Sequence, residues 1–162
     1  MGPAADASAL LLTGRPDVGK TTVLRRAAER LGARVGGFYT EEIRTGGERR
    51  GFRGVPFGRG EAGIIADIAL RAWPRVGRYR VDVAAIDRLA ETTLWPQPGV
   101  HVFFIDEIGK DEINKMEGFS ARFVAATTAL LDTGRLVVAT VGPRARGSPP
   151  RSSGGRRSRC GR

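Results

Sequence analysis

Ala9-Leu10-Leu11-Leu12-Thr13-Gly14-Arg15-Pro16-Asp17-Val18-Gly19-Lys20-Thr21-Thr22 is the stretch that decides the fold. An apolar run of the length of a buried parallel strand, Ala9 to Thr13, leads into a loop bounded by two glycines. The loop ends in Lys-Thr, where a helix is predicted from Lys20 to Leu31. Val23, Leu24, Ala27, Ala28 and Leu31 fall on one helical stripe, and Gly32 stands where a helix stops. In a strand, glycine-rich turn and helix taken in that order, backbone N–H groups at the helix start converge on a phosphate.

Outward from this core, Arg34 to Ile43 reads as a strand, Gly46-Gly47 as a tight turn and Arg49 to Val55 as the returning strand. The stretch from Pro56 to Gly77 is glycine-rich and has no clear period, although Ala62 to Ala69 suits a short strand or helix. Asp82 is placed to cap a helix running through Leu94, with Val83, Ile86 and Leu89 inward, and Pro96, Pro98 and Gly99 end it. Val100 to Ile105 is a second apolar strand. Phe119, Phe123, Ala126 and Leu130 mark a further helix, and Leu136 to Val141 is the last strand. Strands alternating with helices imply an α/β fold with a mainly parallel central sheet flanked by helices.

The chain of 162 residues suits one domain, expected over residues 1–142, with 41% hydrophobic and 27% charged residues. No apolar run is long enough to span a bilayer, and no leader is expected, so the default location is cytoplasmic and a monomer is the expected state. One cysteine and one histidine exclude an internal disulfide and a two-histidine zinc site. The net charge is +10, but residues 143–162 hold seven arginines and no acid, leaving +3 on the rest. That tail of Arg, Gly, Ser and Pro has little to bury and is expected to be disordered, with non-specific nucleic-acid contact through its arginines the one partner it suggests.

Gly14 to Thr21 matches G-x-x-x-x-G-K-[ST]. Lys20 would reach the β- and γ-phosphates, and the Thr21 hydroxyl would ligate Mg²⁺. Val100 to Glu107 ends an apolar strand in two acids. Asp106, on a strand beside that of the phosphate loop, would hold Mg²⁺, and Glu107 would take a proton from an attacking water. A glutamate directly after the aspartate favours water as acceptor, hence hydrolysis. Thr140 either senses the γ-phosphate or is an ordinary β-branched strand residue. Arg44, Arg49, Arg50 and Arg53 flank the hairpin turn, where they contact phosphate or base or, more simply, form a solvated charged face.

Together with the loop, Gly37-Phe38-Tyr39-Thr40-Glu41-Glu42-Ile43-Arg44, Arg50-Gly51-Phe52, Val76 to Asp82 and Ile105 to Lys110 resemble the nucleoside-triphosphatase family of the THEP1 type. The resemblance runs in order from about Leu10 to Val141. It implies a RecA-like P-loop fold and Mg²⁺-dependent hydrolysis of nucleoside triphosphates, ATP and GTP among them, to diphosphate and phosphate. It implies nucleotide contact by Gly14, Arg15, Pro16, Asp17, Val18, Gly19, Lys20, Thr21 and Thr22, and by Asp106, Glu107, Ile108 and Gly109. Three features depart from the family: Asp17 stands where glycine is usual, Asp111 to Lys115 nearly repeats the five residues before it, and the tail replaces further sheet and helix. These leave two alternatives, a nucleotide or small-molecule kinase on the same fold and a hydrolysis-impaired nucleotide- or nucleic-acid-binding protein.

Overall fold

A computed structural model describes residues 9–15, 17–106 and 119–142. Pro16, Glu107, Ile108, Gly109, the repeat at 111–115 and the tail at 143–162 lie outside the described residues. Among the described residues, eight strands form one sheet: β1 (Ala9–Thr13), β2 (Val35–Thr45), β3 (Glu48–Pro56), β4 (Gly63–Asp67), β5 (Arg75–Val76), β6 (Tyr79–Val81), β7 (Val102–Ile105) and β8 (Leu136–Val141). The α-helices α1 (Lys20–Leu31), α2 (Val83–Thr93) and α3 (Ala121–Leu131) pack against it.

The strand order is β1-β8-β7-β2-β3-β4-β6-β5. β1, β8, β7 and β2 run parallel, whereas β3, β4, β6 and β5 add an antiparallel wing. The parallel half carries both acid and lysine motifs. Two sequence expectations change here. β7 is not beside β1, because β8 is inserted between them. β1 is not buried either: among the described residues it forms the sheet's edge, with Leu10 and Leu11 53% and 61% exposed.

Local chemistry explains the element ends. Gly32, at φ 61°, closes α1. The Asp82 carboxylate accepts from the Ala85 N–H at 2.9 Å and starts α2, placing Ile86 and Leu89 in the core and Val83 at its rim. Ser120 does the same for Phe123, at 2.9 Å, so α3 begins after it and Phe119 lies outside the helix. The glycine-rich stretch that lacked a period supplies β4 as its one five-residue strand, and the Gly46-Gly47 turn joins β2 to β3.

One core lies under α2 and α3, where Phe38, Phe103, Ile86, Leu130 and Phe123 meet. A smaller one lies under α1, built from Leu24, Val35, Phe104 and Val138. β2 approaches β7 so closely that a Cβ on Gly37 would stand 1.9 Å from the Phe104 carbonyl oxygen, and Gly37 has φ 90°. Gly37→Ala is therefore expected to destabilise the fold by about 3 kcal/mol or more, or to prevent folding. Denaturant unfolding checks this, and a loss under about 1 kcal/mol would contradict the close approach.

Candidate active site

At the C-terminal end of the parallel strands, Gly19 sits at φ 99° and turns the chain into α1, whose first hydrogen bond runs from Val23 N–H to the Gly19 carbonyl. No side chain caps this helix among the described residues. Its leading N–H groups thus keep the partial positive charge that attracts an anion. Asp17, just before, has φ 61° and is the one non-glycine residue with positive φ among those described. The left-handed shape a glycine would supply is thus kept by an aspartate. The Lys20 ammonium folds back over the loop and donates to the carbonyls of Gly14, at 2.8 Å, and Arg15, at 3.3 Å.

Asp106 is 2% exposed and gathers the rest of the site. The parallel register pairs Ile105 with Ala139 and with Phe38, which sets Asp106 between Thr140 and the residues following Phe38. Its Oδ1 accepts from the Thr140 hydroxyl at 2.7 Å. Its Oδ2 accepts from the Thr21 hydroxyl at 2.8 Å, the Thr40 N–H at 3.1 Å and the Thr40 hydroxyl at 3.2 Å. One carboxylate therefore joins α1, β2, β7 and β8.

A cleft of about 260 Å³ opens above it. Asp17, Gly19, Lys20, Thr21 and Thr22 line one side, and Asp106, Thr140, Thr40, Glu42 and Phe52 the other. The sequence motifs named the first group, Asp106 and Thr140. Gly14 and Arg15 stand at the loop as Lys20's acceptors, whereas Val18 is exposed. Thr40, Glu42 and Phe52 were not named as site residues. Their signal was the alternation Phe38, Thr40, Glu42 on one face at the end of a strand, where ligand crevices of such sheets lie.

Three of the hairpin's four arginines are ion-paired. Glu42 pairs with both Arg44, at 2.6 Å, and Arg49, at 2.9 Å, while Arg53 pairs with Glu41 at 2.6 Å. Behind them, Arg25 lies over the ring of Tyr39 at 4.9 Å. Burial first, then the Glu41 carboxylate, push the Tyr39 hydroxyl above its ordinary value, so it stays neutral through the physiological range.

The site's donors are hard oxygens, one carboxylate and several hydroxyls, which suit Mg²⁺. Among the described residues, no three His, Cys, Asp or Glu side chains cluster to hold a metal by themselves. A cation here would share its coordination with water and phosphate, as Mg²⁺ does at phosphate sites.

A glycine-bounded loop opening a helix, beside a buried aspartate two strands away, defines a P-loop domain with one strand inserted between its two motifs. Comparison with known proteins narrows this. The model of the NTPase family matches residues 9–152, and the chain belongs to that family. It is 39% identical to the nucleoside-triphosphatase THEP1 of Thermofilum pendens, over 81% of this chain and 71% of that protein. It is 40% identical to the human cancer-related nucleoside-triphosphatase, over 86% of this chain and 77% of that one. The crystal structure of THEP1 from Aquifex aeolicus superposes with a TM-score of 0.71 at 35% identity, covering 86% of this chain and 79% of that chain.

Thr140→Val removes a donor to a buried carboxylate at nearly constant volume. It is expected to cost about 1.5–3 kcal/mol in chemical denaturation, and an unchanged midpoint would show that the hydroxyl is not holding Asp106.

Proposed function

We propose that this chain hydrolyses nucleoside triphosphates, ATP and GTP among them, to diphosphate and phosphate, with Mg²⁺ as cofactor. The observation that carries this reading is the 2.8 Å meeting of the Thr21 hydroxyl with Asp106 at the start of α1, beside Lys20. The names of the relatives support the same activity.

In this reading the loop from Gly14 to Thr22 wraps the β- and γ-phosphates. Lys20 exchanges its two carbonyl acceptors for phosphate oxygens. Thr21 and Asp106 hold the cation, with Thr40 and Thr140 fixing the carboxylate from behind. Bound with the nucleotide, magnesium supplies charge neutralisation on the phosphate oxygens. Glu107 follows the buried Asp106 directly in sequence and accepts the proton of the attacking water. The water oxygen bonds to the γ-phosphorus, the bond to the bridging oxygen breaks, and the diphosphate leaves with that electron pair. Ile108 and Gly109 continue the segment beside the nucleotide. Residues 1–142 act as the catalytic domain of a cytoplasmic monomer; no helix among the described residues is long and apolar enough to cross a membrane. The tail at 143–162, with seven arginines and no acid, adds salt-dependent, non-specific nucleic-acid contact.

Phosphate release from Mg·ATP and Mg·GTP tests the reading. Lys20→Ala and Glu107→Gln are each expected to lose about 10²–10⁴-fold in kcat, and chelation of the metal to abolish turnover until Mg²⁺ is restored. Absence of release by the wild-type chain, or full turnover in both variants, would refute it.

Asp17 bears on how strongly the site binds. Its carboxylate lines the phosphate cleft at a backbone angle that costs an L-residue about 1–2 kcal/mol, a cost glycine avoids. Asp17→Gly is expected to tighten nucleotide binding roughly tenfold, one charge contact being removed. Titration calorimetry with Mg·ADP would settle this; an affinity no tighter than wild type would show that the carboxylate does not oppose phosphate.

A further inference from the structure

We propose that Arg49 is the chain's own cationic group for the terminal phosphate, positioned by Glu42; this rests on the hydrolase reading above.

β2 and β3 pair in regular antiparallel fashion from Phe38↔Pro56 to Ile43↔Gly51, and then the next partners are Arg44↔Arg49. Arg50 is the extra residue of a bulge. Residues directly opposite each other in an antiparallel pair share a face, and faces alternate along a strand. Without the bulge, Arg50 would oppose Arg44 and Arg49 would turn to the opposite face. With it, Arg49 shares the face of Arg44, Glu42 and Thr40, which is the face that lines the phosphate cleft. Bulges re-aim side chains in this way beside functional sites.

The arginines on this hairpin are not equivalent. Arg44 is half-exposed and each of its three nitrogens is engaged: Nε and a terminal nitrogen donate to Glu42 Oε2 at 2.9 and 2.6 Å, and the other terminal nitrogen to the Gly47 carbonyl at 3.0 Å. It clips the turn. Arg53 pairs with Glu41, whose side chain lies on the opposite face of β2. Arg49 differs from both. It is only 26% exposed, pairs with Glu42 Oε1 at 2.9 Å, and its guanidinium lies 5.7 Å from the Phe52 ring centroid. Its Nε is buried and has no hydrogen-bond partner among the described residues. A planar guanidinium has five donors in a fork that matches phosphate, and a buried donor without a partner costs free energy. Both groups that hold Arg49, Glu42 and Phe52, line the cleft. Arg49 does not itself line the cleft; it stands directly behind two residues that do, held by a carboxylate and an aromatic face, with its Nε unpaired among the described residues.

A nucleoside triphosphate brings one more phosphoryl group than a diphosphate, and Arg49 acts on that group. Lys20 and the loop hold what the two nucleotides share. Glu42 acts as a positioning residue, because its place is to keep the guanidinium at the cleft rather than in solvent.

The test compares wild type with Arg49→Ala, Arg49→Lys, Glu42→Gln and, as control, Arg53→Ala. It measures phosphate release from Mg·ATP and the dissociation constants of Mg·ADP and of a non-hydrolysable ATP analogue. Circular dichroism and melting confirm that each variant is folded. Arg49→Ala is expected to lower kcat about 10²–10³-fold, with Mg·ADP affinity within about threefold and the preference for the ATP analogue over ADP abolished. Arg49→Lys, which keeps charge but not the fork, recovers only part of the loss. Glu42→Gln lowers kcat less than Arg49→Ala and leaves KM nearly unchanged. Arg53→Ala stays within about threefold of wild type. A folded Arg49→Ala with near-wild-type kcat overturns the proposal, and so does equal loss of ADP and ATP-analogue binding. If the wild-type chain releases no phosphate, the hydrolase reading falls by itself. The ratio of analogue to ADP affinity, with and without Arg49, then still decides whether this residue senses the third phosphate.

Discussion

The Asp106 carboxylate is the constraint on which the rest of the site depends. A charged group this deeply buried is tolerated only when donors surround it, and here three threonine hydroxyls and one backbone N–H do so. The three threonines that supply these donors come from different places in the sequence. Thr21 lies on the first turn of α1, Thr40 on β2, and Thr140 on β8. Their convergence fixes the distance from the helix start to the sheet, and so the width of the cleft above. Removing the Thr140 hydroxyl takes from Oδ1 the donor described above, whereas removing that of Thr21 unties the helix from the sheet.

Much of the architecture was legible because it is written locally. β1, α1 and β8 begin and end where the apolar runs, the glycine loop and Gly32 place them. Asp82 caps α2 as its side-chain chemistry requires. What could not be read is long-range. Nothing in Leu136 to Val141 says that it slips between β1 and β7, and no local pattern tells an apolar edge strand such as β1 from a buried one. Thr40 and Glu42 alternate along β2 in plain view, but only the pairing of β2 with β7, some 65 residues away, turns that face toward Asp106. The bulge at Arg50 is subtler still, since it depends on how two strands fall out of step. Asp106 and Lys20 were legible because their motifs combine spacing with chemistry; the residues behind them were not, because their role is to support.

The cleft combines two kinds of electrostatics. On the loop side, the positive potential comes from the backbone: helix N–H groups and a glycine turn. On the β2–β3 side, charge is carried by side chains, with Glu42 between Arg44 and Arg49, and the proposed reading gives that side the terminal phosphate. Asp17 stands against the first as the lone acid in a phosphate-wrapping loop, held at the one backbone shape that keeps the loop intact. Glu42 belongs to the second and uses its charge on neighbouring arginines rather than on the ligand. Two acids in one cleft thus have opposite consequences, set by what each faces.

The place of β1 at the sheet's edge has a consequence for how the molecule comes into being. Among the described residues, β1 hydrogen-bonds within the sheet to β8 alone, across more than a hundred intervening residues. A chain emerging from the ribosome presents its phosphate loop first, yet that loop has no sheet neighbour to fix it until Leu136 to Val141 has been made. Closing so long a loop is entropically slow, so assembly of the nucleotide site waits until β8 has been made. Nascent or truncated chains ending before β8 carry the full glycine-lysine motif without the scaffold that gives it shape.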